Sequence, residues 1–395
     1  MHLSLRLPVA VAAALAVTEA AVLLLRPRSA PAEPAPVAAR AYFSEAELRR
    51  ARDFRRGQRR LALASAVLDT ALLAGLVRQP PAGLARCHPA LAAAALTAGT
   101  TAAGLPLEAL ARRRSRAVGL VTQSWGGWAE DLLKAQSISA PLSAGAGTLL
   151  VAGMQRHGER WWVGGAAGLV AGGVLALLAG PVLLDPIFNR FEPADPELRA
   201  RVSRLAEAAG VRVDRVLVVD ASRRTTASNA YVTGLGATRR VVLFDTLLRD
   251  FSAAEVDFVV AHELAHVRHR DVSRGLLLVA VAAPAATYAI AQLADALGAE
   301  PDARALAATA LAAGLLAPAL GVVTNTFSRA IERRADRFAM ALVGDARTQI
   351  AFWRGIAVRN VAEPEPPGWV RALHGTHPTT LERIAMAEEV LASAS

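Results

Sequence analysis

The 395 residues predict a mostly α-helical membrane protein: seven spanning helices combined with a polar block that carries a small β-sheet. Three observations predict it. Seven apolar runs approach or exceed the roughly 20 residues a helix needs to cross a bilayer. One polar stretch, residues 189–271, interrupts them with strand-like alternation. Within that stretch lies a His-Glu-x-x-His motif behind a helix-capping sequence.

The runs are Leu7–Leu25, Leu61–Val77, Pro89–Leu110, Ile138–Met154, Trp161–Phe188, Val272–Leu293 and Ala305–Phe327. Arg6 before the first run resembles a signal-peptide start, but the run is too long for a signal core and carries Glu19 where cleavage would fall, so a retained span is expected. Pro27–Pro36 reads as an extended, flexible linker. Ser44 and Glu47 form a capping-box pattern at the start of a polar helix reaching Arg60. The glycine-rich fifth run, GGAAGLVAGGVLALLAG, predicts close approach by neighbouring helices.

In the polar block, Leu198–Ala209 reads as an amphipathic helix ended by Gly210, and Val213–Val219 as a strand. Asn229–Thr233 and Arg240–Phe244 read as two strands around a turn at Gly234-Leu235-Gly236. Ser252-Ala-Ala-Glu255 is a second capping box and starts the helix that bears the motif. The chain thus divides into residues 1–188 (spans one to five), 189–271 (a catalytic block), 272–327 (spans six and seven) and 328–395 (a C-terminal segment that completes the site).

Charge supplies orientation. The formal net charge is +10, with Lys134 the only lysine. Arginines crowd the segment from Arg26 to Arg60 and the segment from Arg112 to Arg116, while the alternate loops hold few. The positive-inside rule then puts the N-terminus outside and the 189–271 block and C-terminal tail in the cytoplasm. No basic block is interleaved with aromatics, which argues against nucleic acid and for anionic lipid headgroups as partner. Cys87 is the only cysteine, which excludes an intrachain disulfide and a cysteine zinc knuckle.

His262-Glu-Leu-Ala-His266 places two imidazoles one helical turn apart on one face, where they can share a Zn²⁺ ion. Glu263 between them can accept a proton from water during metal-assisted hydrolysis. With eight histidines in the chain, chance would produce such a match about one time in a hundred. Zinc needs a third protein ligand and a fourth position for water. His269 lacks the metzincin spacing. Glu332 is the better choice, with Asp336 one turn on to orient a ligand histidine. The residues alone also allow Glu332 and Asp336 to pair with Arg329, Arg333 or Arg337 on a solvated helix. His374, His377 and Arg383 form a further polar cluster that could donate to an oxyanion or a substrate carboxylate.

These motifs together resemble the type I CAAX prenyl endopeptidases, seven-span integral-membrane zinc metallopeptidases. The likeness runs through Tyr42-Phe-Ser44, Gln123-Ser-Trp…Asp131…Lys134, Asn189-Arg-Phe, Asn229-Ala-Tyr-Val-Thr-Gly-Leu-Gly, Val241-Val-Leu-Phe-Asp, the metal motif, Ser328-Arg…Glu332…Ala335-Asp336 and His377-Pro…Glu382-Arg383. The resemblance implies a seven-helix chamber with a cytosolic gluzincin-type domain and one zinc per chain on His262, His266 and Glu332. It implies Glu263 as base, Asp336 behind a ligand, Asn229 binding the substrate backbone on a strand edge, His377 stabilising the oxyanion and Arg383 beside it. The strand reads Asn-Ala-Tyr-Val where the family usually has another aromatic. The Arg- and Ala-rich composition looks bacterial, and bacteria generally lack protein prenylation, so the expected substrate is a peptide or membrane protein cut at a bacterial cell membrane. An HtpX-like quality-control protease shares the site but has fewer spans. A site-two-type protease would need the motif inside an apolar run, whereas this helix carries Glu255, Asp257 and Arg268. A catalytically idle scaffold is the remaining alternative.

Overall fold

A computed structural model describes residues 6–35, 37–234 and 239–394. The chain opens with α1 (Arg6–Leu25), α2 (Glu45–Arg78), α3 (Pro89–Ala117), α4 (Trp125–His157) and α5 (Trp161–Ala179). A wide helical turn at Gly180–Leu184 and the short α6 (Asp185–Phe188) lead to β1 (Phe191–Pro193), α7 (Pro196–Ala208), β2 (Arg215–Val219), β3 (Ala230–Thr233), β4 (Arg240–Phe244), α8 (Asp245–Asp250) and α9 (Ala253–Arg268). Then follow α10 (Asp271–Ala296), α11 (Ala305–Val343), α12 (Ala346–Arg359), α13 (Gly368–His374) and α14 (Thr380–Ala394).

Among the described residues, six helical stretches are long and apolar enough to cross a membrane. One of them, Trp125–Phe188, contains both α4 and α5, divided by a tight turn at Gly158–Arg160, so the expected seven rods are present. They pack as a closed ring: α2 on α3, α3 on α4, α4 on α5, α5 on α10, α10 on α1, α1 on α11, and α11 back on α2. The polar helix from Ser44 and the second span are one rod, α2, whose N-terminus is closed by the Ser44–Glu47 capping box. At 34 residues it is about 51 Å long, so its arginine-rich half extends beyond a bilayer core.

The structure departs from expectation at three places. The fifth run is not one regular helix: Gly180-Pro181 removes a backbone donor, and the helix widens there to i→i+5 bonding. Its glycines do not mediate close packing either, since a Cβ added at Gly164, Gly168, Gly172 or Gly173 would meet nothing. Close approach occurs at Gly147 on α4 instead, where a Cβ would lie 2.5 Å from the Ala93 Cβ of α3. The linker is pinned: Arg333 Nε donates to the Pro31 carbonyl at 3.1 Å and Arg371 pairs with Glu33 at 2.8 Å. Its last residue, Pro36, and Leu235 and Gly236 of the expected turn lie outside the described residues.

The polar block forms a mixed sheet of four described strands in the order β1-β2-β4-β3, with β2 and β4 parallel and both outer strands antiparallel to their neighbours. β3 is therefore an edge. Behind the sheet one hydrophobic core joins Val202 of α7, Val241 and Leu243 of β4, Phe258 and Leu264 of α9, Met340 of α11, Phe352 of α12 and Met386 of α14. The segment after residue 328 thus packs into the same core as residues 194–264, and α11, 39 residues long, runs unbroken from the helix ring into it.

Candidate metal centre

Helix α9 starts at a capping box in which the Ser252 hydroxyl accepts from the Glu255 N–H and the Glu255 carboxylate accepts from the Ser252 N–H. Phe258, Val260, Ala261, Leu264 and Ala265 anchor it in the core, and this sets the rotation that turns His262 and His266 toward α11 and Glu263 toward β3. The imidazole Nε2 atoms of His262 and His266 lie 3.3 Å apart. The Glu332 carboxylate from α11 closes the triangle, with Oε2 at 3.3 Å from His262 Nε2 and Oε1 at 3.5 Å from His266 Nε2. Bonds of about 2.0–2.1 Å at tetrahedral angles separate ligand atoms by about 3.3–3.4 Å, so this donor set fits zinc. Both histidines are also held from behind. His262 Nδ1 is 2.9 Å from Asp336 Oδ1, and His266 Nδ1 is 3.1 Å from Asp271 Oδ2. Each carboxylate fixes the tautomer that turns Nε2 toward the shared point.

Asp336 is fully buried and Glu332 nearly so. Arg383 serves both: its Nη2 donates to Glu332 Oε2 at 2.9 Å, and its Nε is 3.4 Å from Asp336 Oδ2. The guanidinium lies 4.0 Å from the centroid of the Trp353 ring, which also stands edge-on to His262. His377 extends from the turn after α13, with Nε2 at 3.5 Å from Glu332 Oε2, and remains largely open to solvent. Asn229 sits at the start of edge strand β3. With Glu263, His262, His377 and Arg383 it lines a cavity of about 160 Å³ floored by Leu247, Phe258, Phe352 and Ile356.

The field of the site favours positive charge. Burial alone would suppress protonation of His262, but the Asp336 and Glu332 carboxylates outweigh it and push its pKa up to about 10. Glu263 moves upward for a different reason. Burial dominates and the charge of Glu332 adds to it, against the opposing pull of His262, His266 and a backbone hydrogen bond from Val232 on β3. A carboxylate raised this way is better matched to accepting a proton near neutral pH.

All eight residues singled out from the sequence for site roles thus lie in one cluster. His374 does not join it: it is exposed at the end of α13. His269 also stays outside, edge-on to Phe338 at 5.4 Å. Three neighbours were not singled out. Asp271 reaches His266 only because Arg270 adopts a left-handed φ of 57°, which turns the chain sharply between α9 and α10. Arg334 contacts Asp271 from α11, and Trp353 supports Arg383. The left-handed turn at the non-glycine Arg270 has no signature in the sequence, and the approach of α12 to the site is a long-range packing that local pattern does not reveal.

Comparison with known proteins gives the family and the fold. A family model described as Peptidase family M48 matches residues 192–391. The chain is 30% identical to the metalloprotease YhfN of Bacillus subtilis over 301 residues, 73% of this chain and 71% of that protein. It is 32% identical to the CAAX prenyl protease 1 homolog of Dictyostelium discoideum over 227 residues, 54% of this chain and 53% of that one. The crystal structure of S. mikatae Ste24p superposes with a TM-score of 0.76 at 19% identity, covering 98% of this chain and 99% of that chain, so the two share a fold.

Proposed function

Because this chain belongs to peptidase family M48, and is an integral-membrane metalloprotease, we propose that it holds one zinc ion on His262, His266 and Glu332 and uses Glu263 as general base to hydrolyse peptide bonds. The observation that carries this reading is the convergence of two Nε2 atoms and one carboxylate at 3.3–3.5 Å from one another, with each imidazole backed by an aspartate. Bound zinc supplies Lewis acidity: it acidifies water and polarises a carbonyl. The chain's own groups do the rest. Asp336 and Asp271 hold the imidazoles in register, and Arg383 restrains the Glu332 carboxylate. Glu263 accepts the proton and returns it to the leaving amine. An extended peptide adds to the outer edge of β3 at its Asn229 end, where Asn229 meets its backbone, and this brings the scissile carbonyl over the site. His377 donates a hydrogen bond to the oxygen on which negative charge develops.

The substrate class is a peptide or membrane protein. The dense arginines of α2 and of the end of α3, on the same side as the site, support a cytoplasmic location for it and an outside N-terminus, as in a bacterial cell membrane. The catalytic unit is built from residues 189–271 and 328–395, and residues 1–188 and 272–327 supply the membrane ring.

The test uses purified protein in lipid nanodiscs with a quenched fluorescent peptide. Chelation should abolish cleavage and stoichiometric zinc should restore it. Glu263→Gln should keep one zinc per chain and lose about 10²- to 10⁴-fold in kcat. Cleavage that survives both treatments refutes the mechanism.

A further inference from the structure

Asn325, Arg329, Glu332 and Asp336 recur every three or four residues along α11 and so form one stripe. The last two belong to the metal centre. The first two have no part in the mechanism above, yet both are only 7% exposed. Arg329 Nη1 donates to the carbonyl of Gly375 at 2.7 Å and to that of Arg371 at 3.3 Å. Asn325 Nδ2 donates to the carbonyl of Ala372 at 3.0 Å. These acceptors lie in the last turn of α13 and just past it, where helix carbonyls lack intrahelical partners and a cation is favoured. The turn itself is tight. A Cβ on Gly375 would lie 2.4 Å from the Arg371 carbonyl oxygen, which is backbone and cannot yield. From the other side, the Arg371 side chain is clamped by Glu33 at 2.8 Å and Glu382 at 2.5 Å. Two residues beyond Gly375 comes His377.

We infer that Arg329, assisted by Asn325, is a positioning residue for His377: it fixes the 371–377 turn to the same helix that carries Glu332, and so sets where the His377 imidazole stands relative to the metal ligands. The inference rests on the reading of His377 as oxyanion donor. One rigid helix then registers both the ligand and the donor, and a displacement of about 1 Å at such a group can cost about 10²-fold in rate.

The test compares R329A, R329K, H377A and the R329A/H377A double variant as full-length protein in nanodiscs, with kcat, KM and zinc content measured for each. H377A should lose about 10²- to 10³-fold in kcat. R329A should lose about 10- to 10²-fold in kcat, with KM and zinc content essentially unchanged. The double variant should be no slower than H377A, because a donor already absent cannot be misplaced. R329K should recover most of the loss, since an ammonium keeps donors for both carbonyls. Should R329A not fold, N325A, which removes only the donor to Ala372, is read by the same criteria. If H377A is crippled while R329A keeps wild-type kcat, loses its zinc, or multiplies its defect with that of H377A, the inference falls and the oxyanion reading stands. If H377A itself keeps wild-type kcat, both fall.

Discussion

Replacing Asp336 by alanine removes a carboxylate that no solvent reaches. Its Oδ1 is 2.9 Å from His262 Nδ1, and its Oδ2 is 3.4 Å from Arg383 Nε. The guanidinium keeps Glu332 as partner at 2.9 Å, so the principal loss falls on His262. A hydrogen bond to a charged partner contributes about 1.5–3 kcal/mol. At about 1.4 kcal/mol per factor of ten, that is about a 10- to 100-fold weaker grip on the metal. The same range is typical for outer partners of ligand histidines. Asp336→Asn should lose less, because its amide oxygen can still accept from Nδ1. Competition against a zinc chelator of known affinity measures the change directly, and circular dichroism confirms that the helices persist. Wild-type zinc affinity in the alanine variant would refute the argument that Asp336 orients a ligand.

Two other perturbations probe the frame around the site. Asp250 closes α8 against α12 through Arg249 and Arg359, each at 2.9 Å. The hydrogen bond from Arg249, with the charge of Arg359, holds its carboxyl below the usual carboxylate range despite burial. A depressed pKa contributes stability above the unfolded-state value and loses it as pH falls through the folded value. Asp250→Asn should therefore melt below wild type at pH 7, and the difference should close on acidification; a constant gap across that range counts against the assignment. In the membrane ring, Gly147→Val would force a side chain into the contact with Ala93 and Leu306. Overpacking of this kind costs about 1–3 kcal/mol, so thermal melting in detergent should shift down, whereas Gly172→Val on α5, facing open space, should leave it unchanged. Equal shifts for the two would show that α3 and α4 do not meet at Gly147.

What was legible in the sequence is local. The metal pair His262 and His266 needs only the helical repeat, and two capping boxes mark where α2 and α9 begin. Apolar run length locates the spans, and alternation locates β2, β3 and β4. Where several contacts compete, composition misleads: the glycines of α5 suggest a tight interface that forms at Gly147 instead, and the proline-rich linker is tied down by Arg333 and Arg371. Residue chemistry favoured Glu332 as the third ligand and family resemblance strengthened that expectation, although its neighbourhood of arginines also permits a solvated helix.

By itself, then, the sequence determined that the chain enters a membrane, that one helix offers two imidazoles on a single face with a carboxylate beside them, and that strands precede it. These are properties of residues within a few turns of one another, where backbone geometry alone decides what faces what. Tertiary structure decided what completes the site: Glu332 and Asp336 meet the histidines because α11 continues as a rigid rod from the ring into the catalytic core, and Asp271 returns beneath His266 through the left-handed turn at Arg270. Burial then converts that meeting into chemistry, since carboxylates and imidazoles withdrawn from water interact strongly enough to hold one another, and a cation, in a fixed place.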